Sequence, residues 1–419
     1  MFFHNSIILV EFIAEMAEIL QGSVESALGF KAVGVKCGIK TGGGLDLGVL
    51  LCDNACTAAG VFTTNRVKAA PVIFCRDLLS KDSSAVRALV VNAGNANACT
   101  GERGLRDAAT MAAAAEKRLG LAAGSVLVMS TGIIGHPLPL DRIEKGLDEA
   151  AGKFSRGEDG GFSRAIMTTD LVEKTVSVQY SKAGKTVRIG AAAKGSGMIH
   201  PNMATMLAFF ATDANVSPEA LGDILRRVVS RTFNMISVDG DRSPNDSAFV
   251  LASGASGATR IEGPDSPGWI EFHDALYLAA ERLAKMIASD GEGATRLVEI
   301  RVGGADSFEN ADRVARAIAN SPLVKTAIFG ADPNWGRIIC AAGYSGAPVD
   351  PDRIGISIGG ISIVEKGEPL GADHIRLVEA LKAEEVVIEI KLGQGDEHCR
   401  FWTCDFSYDY VRINAEYHT

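Results

Sequence analysis

The stretch Lys194-Gly-Ser-Gly-Met-Ile-His-Pro-Asn-Met-Ala204-Thr205-Met-Leu207 has the makings of a self-cleaving junction. Glycines and a proline supply a tight turn, a small residue precedes a threonine, and the apolar run Met206 to Ala211 follows to hold that threonine as a strand. A threonine hydroxyl is a weak nucleophile without a base beside it. A cut between Ala204 and Thr205 would create that base, because a free α-amine has a reference pKa of about 8. Attack on a carbonyl also needs donors for the oxyanion that forms. Thr131-Gly132, at the end of the apolar run Ser125 to Ser130, offers a hydroxyl and an unhindered backbone N–H. Lys194, eleven residues before Thr205, could hold a substrate carboxylate or lower the pKa of the new amine. The plainer readings are a β-branched residue opening a strand, a turn after a strand and a solvated loop lysine. Pattern alone leaves both sets open.

Other polar segments carry less chemistry. Asp239-Gly-Asp-Arg-Ser-Pro-Asn-Asp246 is rich in carboxylates but lacks the spacing and closing glutamate of a calcium loop. Asp332-Pro-Asn-Trp-Gly-Arg337 reads either as a turn offering an arginine to an anion or as a turn packed by its tryptophan. Neither GxxxxGK[ST] nor GxGxxG occurs. The eight cysteines are scattered, which suits reduced thiols in a cytosolic protein. Cys52-x3-Cys56 and Asp396-Glu-His398-Cys399-x4-Cys404 have no partner pair at zinc-site spacing, so no metal is expected.

The 419 residues, 47% hydrophobic and 22% charged, suit two or three globular domains, or one large sandwich with an added lobe. A net charge of −9 without a dense basic run argues against nucleic acid as a partner. The apolar start, Met1 to Ala14, lacks a basic leader and is interrupted at Glu11 and Glu15. It reads as an extension before Met16 or a short first helix. No apolar run reaches spanning length, so no membrane partner is expected.

The elements that must position these residues follow from local pattern. Ala88 to Ala93 and Ser125 to Ser130 read as strands, the second emptying into a loop, Thr131 to Gly135. Leu105 to Leu119 is an alanine-rich helix closed by Gly120. Thr175 to Tyr180 and Thr186 to Ala192 form a hairpin around Ala183-Gly184. Ser217-Pro218-Glu219 starts a helix, and Trp269 to Ala288 is a long one. From about Ala294 come a strand (Arg296 to Val302), a helix (Asp306 to Asn320) and several short strands, the last spanning Phe401 to Val411. Interleaved strands and helices give an α/β or α+β class.

Eight ordered segments make the chain resemble the glutamate N-acetyltransferase, or ornithine acetyltransferase, family of arginine biosynthesis. They are Gly29 to Lys40, Asn92 to Gly101, Ser130 to Gly135, Lys194 to Leu207, Ser237 to Asp241, Asp290 to Thr295, Ala331 to Arg337 and Arg412 to Thr419. Together they cover about Gly29 to Thr419. The chain departs from the family's usual residues at Arg242, Pro244 and His418.

The resemblance implies an α/β sandwich of the family's own type, similar in logic to N-terminal-nucleophile hydrolases, with a smaller C-terminal α/β lobe. It implies an extension at 1–22 and self-cleavage between Ala204 and Thr205. The two chains would be 23–204 and 205–419, with 205–293 completing the main sandwich and 294–419 forming the lobe. Thr205 would carry the acetyl group, and Thr131 and Gly132 would hold the oxyanion. Thr168 (or its neighbour Thr169), Lys194, Thr205, Glu292, Asn414 and Thr419 would bind substrate. The implied reaction moves acetyl from N2-acetyl-L-ornithine to L-glutamate with no cofactor, acetyl-CoA being a further co-substrate to test. The implied assembly is a cytoplasmic heterotetramer of two chains of each kind. An aminopeptidase or amidase of similar fold, and a non-catalytic amino-acid-binding protein, are the competing readings.

Overall fold

The computed structural model of the chain describes residues 17–200 and 206–416. Ala204, Thr205, Thr419 and the apolar start therefore lie outside the described residues. The chain divides into two compact units.

The larger unit holds residues 17–234 and Asp241–Leu283. Its elements are β1 (Ala17–Leu20), β2 (Phe30–Val35), β3 (Leu47–Phe62), α1 (Ala70–Lys81), β4 (Val86–Asn95), α2 (Gly101–Leu119), β5 (Val126–Ile133), α3 (Leu140–Ser155), α4 (Phe162–Ile166), β6 (Lys174–Lys182), β7 (Lys185–Lys194), β8 (Leu207–Thr212), α5 (Pro218–Arg231), β9 (Ser247–Ala252) and the start of α6 (Trp269–Ser289). The strands run in the order β1-β6-β7-β8-β9-β3-β4-β5, with β2 also on β3. The long strand β3 serves two sets of neighbours. Leu47 to Leu51 pairs with β2 and β4, Thr57 to Phe62 pairs with β9, and an irregularity between Leu51 and Cys56 separates the two stretches. Such a break lets one strand turn from one layer into another.

Every residue of β8 and β9 is buried, as expected of parallel strands covered on both faces. Phe209 stacks on Phe249 at 6.2 Å, while Phe162 of α4 meets Phe209 edge-on at 5.5 Å. Burying rings of this size contributes about 1.5–3 kcal/mol each. The core therefore lies directly behind the start of β8.

The expected hairpin is present as β6 and β7, turned by Ala183 (φ 49°) and Gly184 (φ 74°). Helix α5 starts as expected, with Ser217 Oγ accepting from the Ala220 N–H at 3.3 Å. Helix α2 ends at Gly120 (φ 64°) but begins at Gly101, earlier than its alanine content suggests. A Cβ on Gly104 would lie 1.9 Å from Thr100 Oγ1, so this glycine admits a folded turn and does not break the helix. The expected loop Thr131 to Gly135 is a correction as well. Strand β5 continues through Ile133, because Ala93 and Gly94 of β4 still pair with Thr131 and Gly132.

The smaller unit holds Met235–Gly240 and residues 284–416. After the end of α6 come β10 (Leu297–Ala305), α7 (Phe308–Ala319), α8 (Pro322–Phe329), α9 (Trp335–Gly343), β11 (Gly355–Ile358), β12 (Ile361–Glu365), β13 (Glu368–Pro369), α10 (His374–Leu381), β14 (Glu385–Lys391), β15 (Glu397–Cys404) and α11 (Tyr408–Glu416). The sheet order is β13-β12-β11-β14-β10-β15, with α7 packed on β10 and β15. The Asp332 to Arg337 turn caps α9: Asn334 Oδ1 accepts from the Arg337 N–H at 3.2 Å, and Arg337 Nη1 donates to the Leu323 carbonyl at 2.8 Å.

The expectation of one strand from Phe401 to Val411 is overturned. The strand stops at Cys404, and Tyr408 opens a helix none of whose residues is buried. Asp405 explains the break, since its carboxylate accepts from the Thr295 N–H at 2.8 Å and the Arg296 N–H at 3.1 Å. A side chain so engaged ends the ladder.

Among the described residues no helix is long and apolar enough to cross a membrane. All eight cysteines are free thiols.

Candidate active site

Strand pairing gathers one group of polar residues in the larger unit. Lys194 is the last residue of β7 and stands opposite Leu207, the first of β8. Leu207 in turn stands opposite Ser247, the first of β9. Three strand ends therefore meet where the glycine-rich segment leaves β7.

Lys194 is 8% exposed, so it is not a solvated loop lysine. Its Nζ donates to Thr168 Oγ1 at 2.7 Å and lies 3.9 Å from Asp170 Oδ2. Asp170 is the hub of this group. Its carboxylate accepts from Lys174 Nζ at 2.7 Å, from the Gly195 N–H at 2.7 Å and from the Thr168 N–H at 3.0 Å. Burial pushes the Asp170 carboxyl up, but Lys194, Lys174 and the Gly195 N–H outweigh it and hold the group down to about 2. Asp170 is thus an anion shared by two lysines, which leaves positive charge in excess beside Thr168. Such a surplus in a half-dry setting suits an incoming carboxylate.

The second group is the end of β5. Gly132 has φ 129°, and a Cβ on it would lie 2.3 Å from the Gly94 carbonyl carbon. Only glycine fits this approach of β5 to β4. Ser130 Oγ donates to Asn92 Oδ1 at 2.6 Å, which fixes the strand one residue before Thr131. Asn245 joins this group to the first. Its Nδ2 donates to the Ser130 carbonyl at 2.8 Å and the Ala96 carbonyl at 2.6 Å. Two residues on, the Ser247 N–H donates to the Met206 carbonyl at 3.0 Å. Thr131 and Gly132 are thereby tied to the segment that begins directly after Thr205.

Sequence reasoning missed Asp170, Lys174 and Asn245. Asp170 and Lys174 form an i,i+4 pair of opposite charge, a spacing that usually marks an exposed helix face. Here they bracket a turn and are both fully buried.

In the smaller unit, Asn414 of α11 donates through Nδ2 to Glu292 Oε2 at 3.0 Å. The turn that carries Glu292 is pinned to the helix, for Ser407 Oγ donates to the Gly293 carbonyl and a Cβ on Gly293 would lie 2.3 Å from the Tyr410 nitrogen. The structure therefore brings Thr168 with Lys194, and Glu292 with Asn414.

These observations define an α/β protein with a buried, lysine-rich polar site at converging strand ends, linked through Asn245 and Ser247 to the strand that carries Gly132. A profile of the ArgJ family matches residues 31–419. The arginine biosynthesis bifunctional protein ArgJ of Shouchella clausii is 46% identical over 400 residues, covering 96% of this chain and 97% of that one. The protein of the same name from Symbiobacterium thermophilum is 47% identical over 404 residues, covering 96% of this chain and 100% of that one. A crystal structure of ArgJ from Bacillus halodurans is 48% identical, covers 50% of this chain and 99% of its own, and superposes with a TM-score of 0.49. The chain belongs to the ArgJ family.

Proposed function

We propose that this chain is an acetyltransferase of arginine biosynthesis that moves the acetyl group of N2-acetyl-L-ornithine to L-glutamate through an ester on Thr205. Family membership over nearly the whole chain supports the reaction class. The observation that carries the assignment of the site is Lys194, buried, bonded to Thr168 and register-paired with the strand that begins two residues after Thr205.

The chain first cleaves itself between Ala204 and Thr205, freeing the α-amine as base. The Thr205 hydroxyl attacks the acetyl carbonyl while the amine takes its proton. Thr131 and the Gly132 N–H stabilise the oxyanion. Ornithine leaves as an amine with that proton, and the glutamate amine then attacks the ester by the reverse path. Both substrates carry an α-carboxylate, so Lys194 with Thr168 anchors each in turn. Glu292 and Asn414 favour the ornithine ammonium, and Thr419 adds a further contact. No cofactor takes part. The two cleaved chains assemble as two of each and work in the cytoplasm. The relatives are called bifunctional, so acetyl-CoA is the second donor to test.

Incubation with N2-acetylornithine alone, followed by mass analysis, is the test. One acetyl group on the peptide that begins at Thr205 supports the scheme. An unmodified peptide during turnover rejects it. Ornithine release that does not need glutamate would instead mark an amidase.

A further inference from the structure

The loop between β2 and β3, residues 36–46, takes no part in the transfer scheme, yet one buried carboxylate holds it in a single shape. Asp46 closes this loop and is fully buried. Its Oδ1 accepts from the Cys37 N–H at 2.6 Å, and its Oδ2 accepts from the Ile39 N–H at 2.6 Å and the Lys40 N–H at 3.1 Å. The Lys40 ammonium is engaged elsewhere, donating to the Leu45 carbonyl at 2.6 Å and the Ala165 carbonyl at 3.4 Å. The Asp46 backbone is fixed as well. Its N–H donates to the Val35 carbonyl at 2.9 Å, and its carbonyl accepts from the Ala93 N–H at 2.9 Å. A carboxylate is costly to bury unless donors surround it, and here the loop's own backbone supplies them.

The held loop bears on the strand beside Gly132. Gly94 follows Ala93 and has φ 111°. A Cβ on it would lie 3.0 Å from Ile39 Cγ2, 3.2 Å from the Ile39 carbonyl carbon and 3.2 Å from the Lys40 nitrogen. The backbone that Asp46 grips thus lies against Gly94. Gly94 in turn stands opposite Gly132 in the ladder, and a Cβ on Gly132 would lie 2.3 Å from the Gly94 carbonyl carbon. Asp46, the Ile39-Lys40 backbone, Gly94 and Gly132 form one continuous stack. Packing this close passes a displacement from one member to the next.

We propose that Asp46 is a positioning residue for acetyl transfer: by clamping the Ile39-Lys40 backbone onto Gly94, it fixes where Gly132 presents its N–H. This rests on the reading that the Gly132 N–H stabilises the oxyanion. Asp46 touches no reacting atom. An oxyanion donor acts through its placement, and a misplacement of about 1 Å lowers the rate by about 100-fold. The substrate anchor has a separate support, since Asp170 bonds to the Thr168 and Gly195 N–H groups on either side of the Lys194 contact. Loss of the clamp should therefore slow turnover and leave substrate binding in place.

The experiment is steady-state kinetics on the purified enzyme, expressed as the full chain, with N2-acetylornithine and glutamate varied in turn. Whichever way the amide of Asp46→Asn lies, its NH2 meets at least one backbone N–H, donor against donor. This variant should lower kcat by about 10- to 100-fold, with both KM values within about twofold of wild type. Wild-type kcat in a folded Asp46→Asn enzyme overturns the proposal. A fall in kcat with matching rises in both KM values also overturns it, because that is general loosening. A double variant with Gly132→Ala locates the effect. If Asp46 acts through Gly132, the double variant is no slower than Gly132→Ala alone, and losses that multiply overturn the route. Gly132→Ala at wild-type kcat removes instead the oxyanion reading beneath it. If Asp46→Asn does not fold or does not split into two chains, Ile39→Ala decides. It trims the side chain nearest Gly94 and keeps the three hydrogen bonds to Asp46, so kcat should fall by about 3- to 10-fold at unchanged KM. Wild-type kcat in that variant rejects the clamp.

Discussion

The ammonium of Lys194 and the hydroxyl of Thr168 are 2.7 Å apart, although 26 residues and a full hairpin separate them in the chain. Asp170, bonded to the backbone on both sides of this contact, sets its geometry.

Removing the ammonium should weaken both substrates alike. A charge-assisted hydrogen bond contributes about 1.5–3 kcal/mol, so Lys194→Met should raise KM for N2-acetylornithine and for glutamate by roughly 10- to 100-fold. Initial rates with each substrate varied in turn check this. A rise for one substrate alone would show that Lys194 reads a side chain and not the shared carboxylate.

Asp170 gives the fold a defined acid sensitivity. Its folded pKa of about 2 lies below the ordinary 3.8, so its contribution to stability is full above about pH 4 and is lost as pH falls toward 2. Asp170→Asn leaves two buried lysines without their anion and should cost about 3–5 kcal/mol at neutral pH. Thermal melts from pH 2 to pH 7 test both statements: the wild type should lose stability between pH 4 and pH 2, and the variant should show a shallower fall.

Gly132→Ala puts a methyl group 2.3 Å from the Gly94 backbone and must push β5 off β4. Loss of one well-aimed oxyanion donor lowers kcat by about 100- to 1,000-fold. Steady-state kinetics should show that fall in kcat, with circular dichroism reporting any accompanying loss of fold.

Deleting residues 414–419 should separate folding from turnover. Helix α11 has no buried residue, and the tail is fastened upstream by Asp405 and Ser407, so the melting midpoint should stay within a few degrees of wild type. Acetyl transfer should be lost. Normal transfer by the truncated chain would take Asn414 and Thr419 out of the site.

Much of this could be read locally. Ser217 with Pro218, the Ala183-Gly184 turn and the Gly120 stop act within a few residues, and each element appears where its signal stands. The tail is not legible locally, because an aromatic, apolar segment suits strand or helix equally, and the Asp405 carboxylate that ends the strand acts on Thr295 and Arg296, far away in sequence.

By itself the sequence determined the family, through eight ordered segments, and with it the residue types the proposed chemistry calls on: a threonine at a small-residue junction, a glycine after a strand, a lysine before a glycine-rich turn. The tertiary structure alone decided that Lys194 is buried and shares Asp170 with Lys174, that Asn245 ties Ser130 to the start of β9, and that Asp46 grips the Ile39-Lys40 backbone beside Gly94. The physical reason is that strand register and the pairing of buried charges join residues by space. A carboxylate reveals whether it is solvated, paired or forced to hold its proton only once its neighbours are in place.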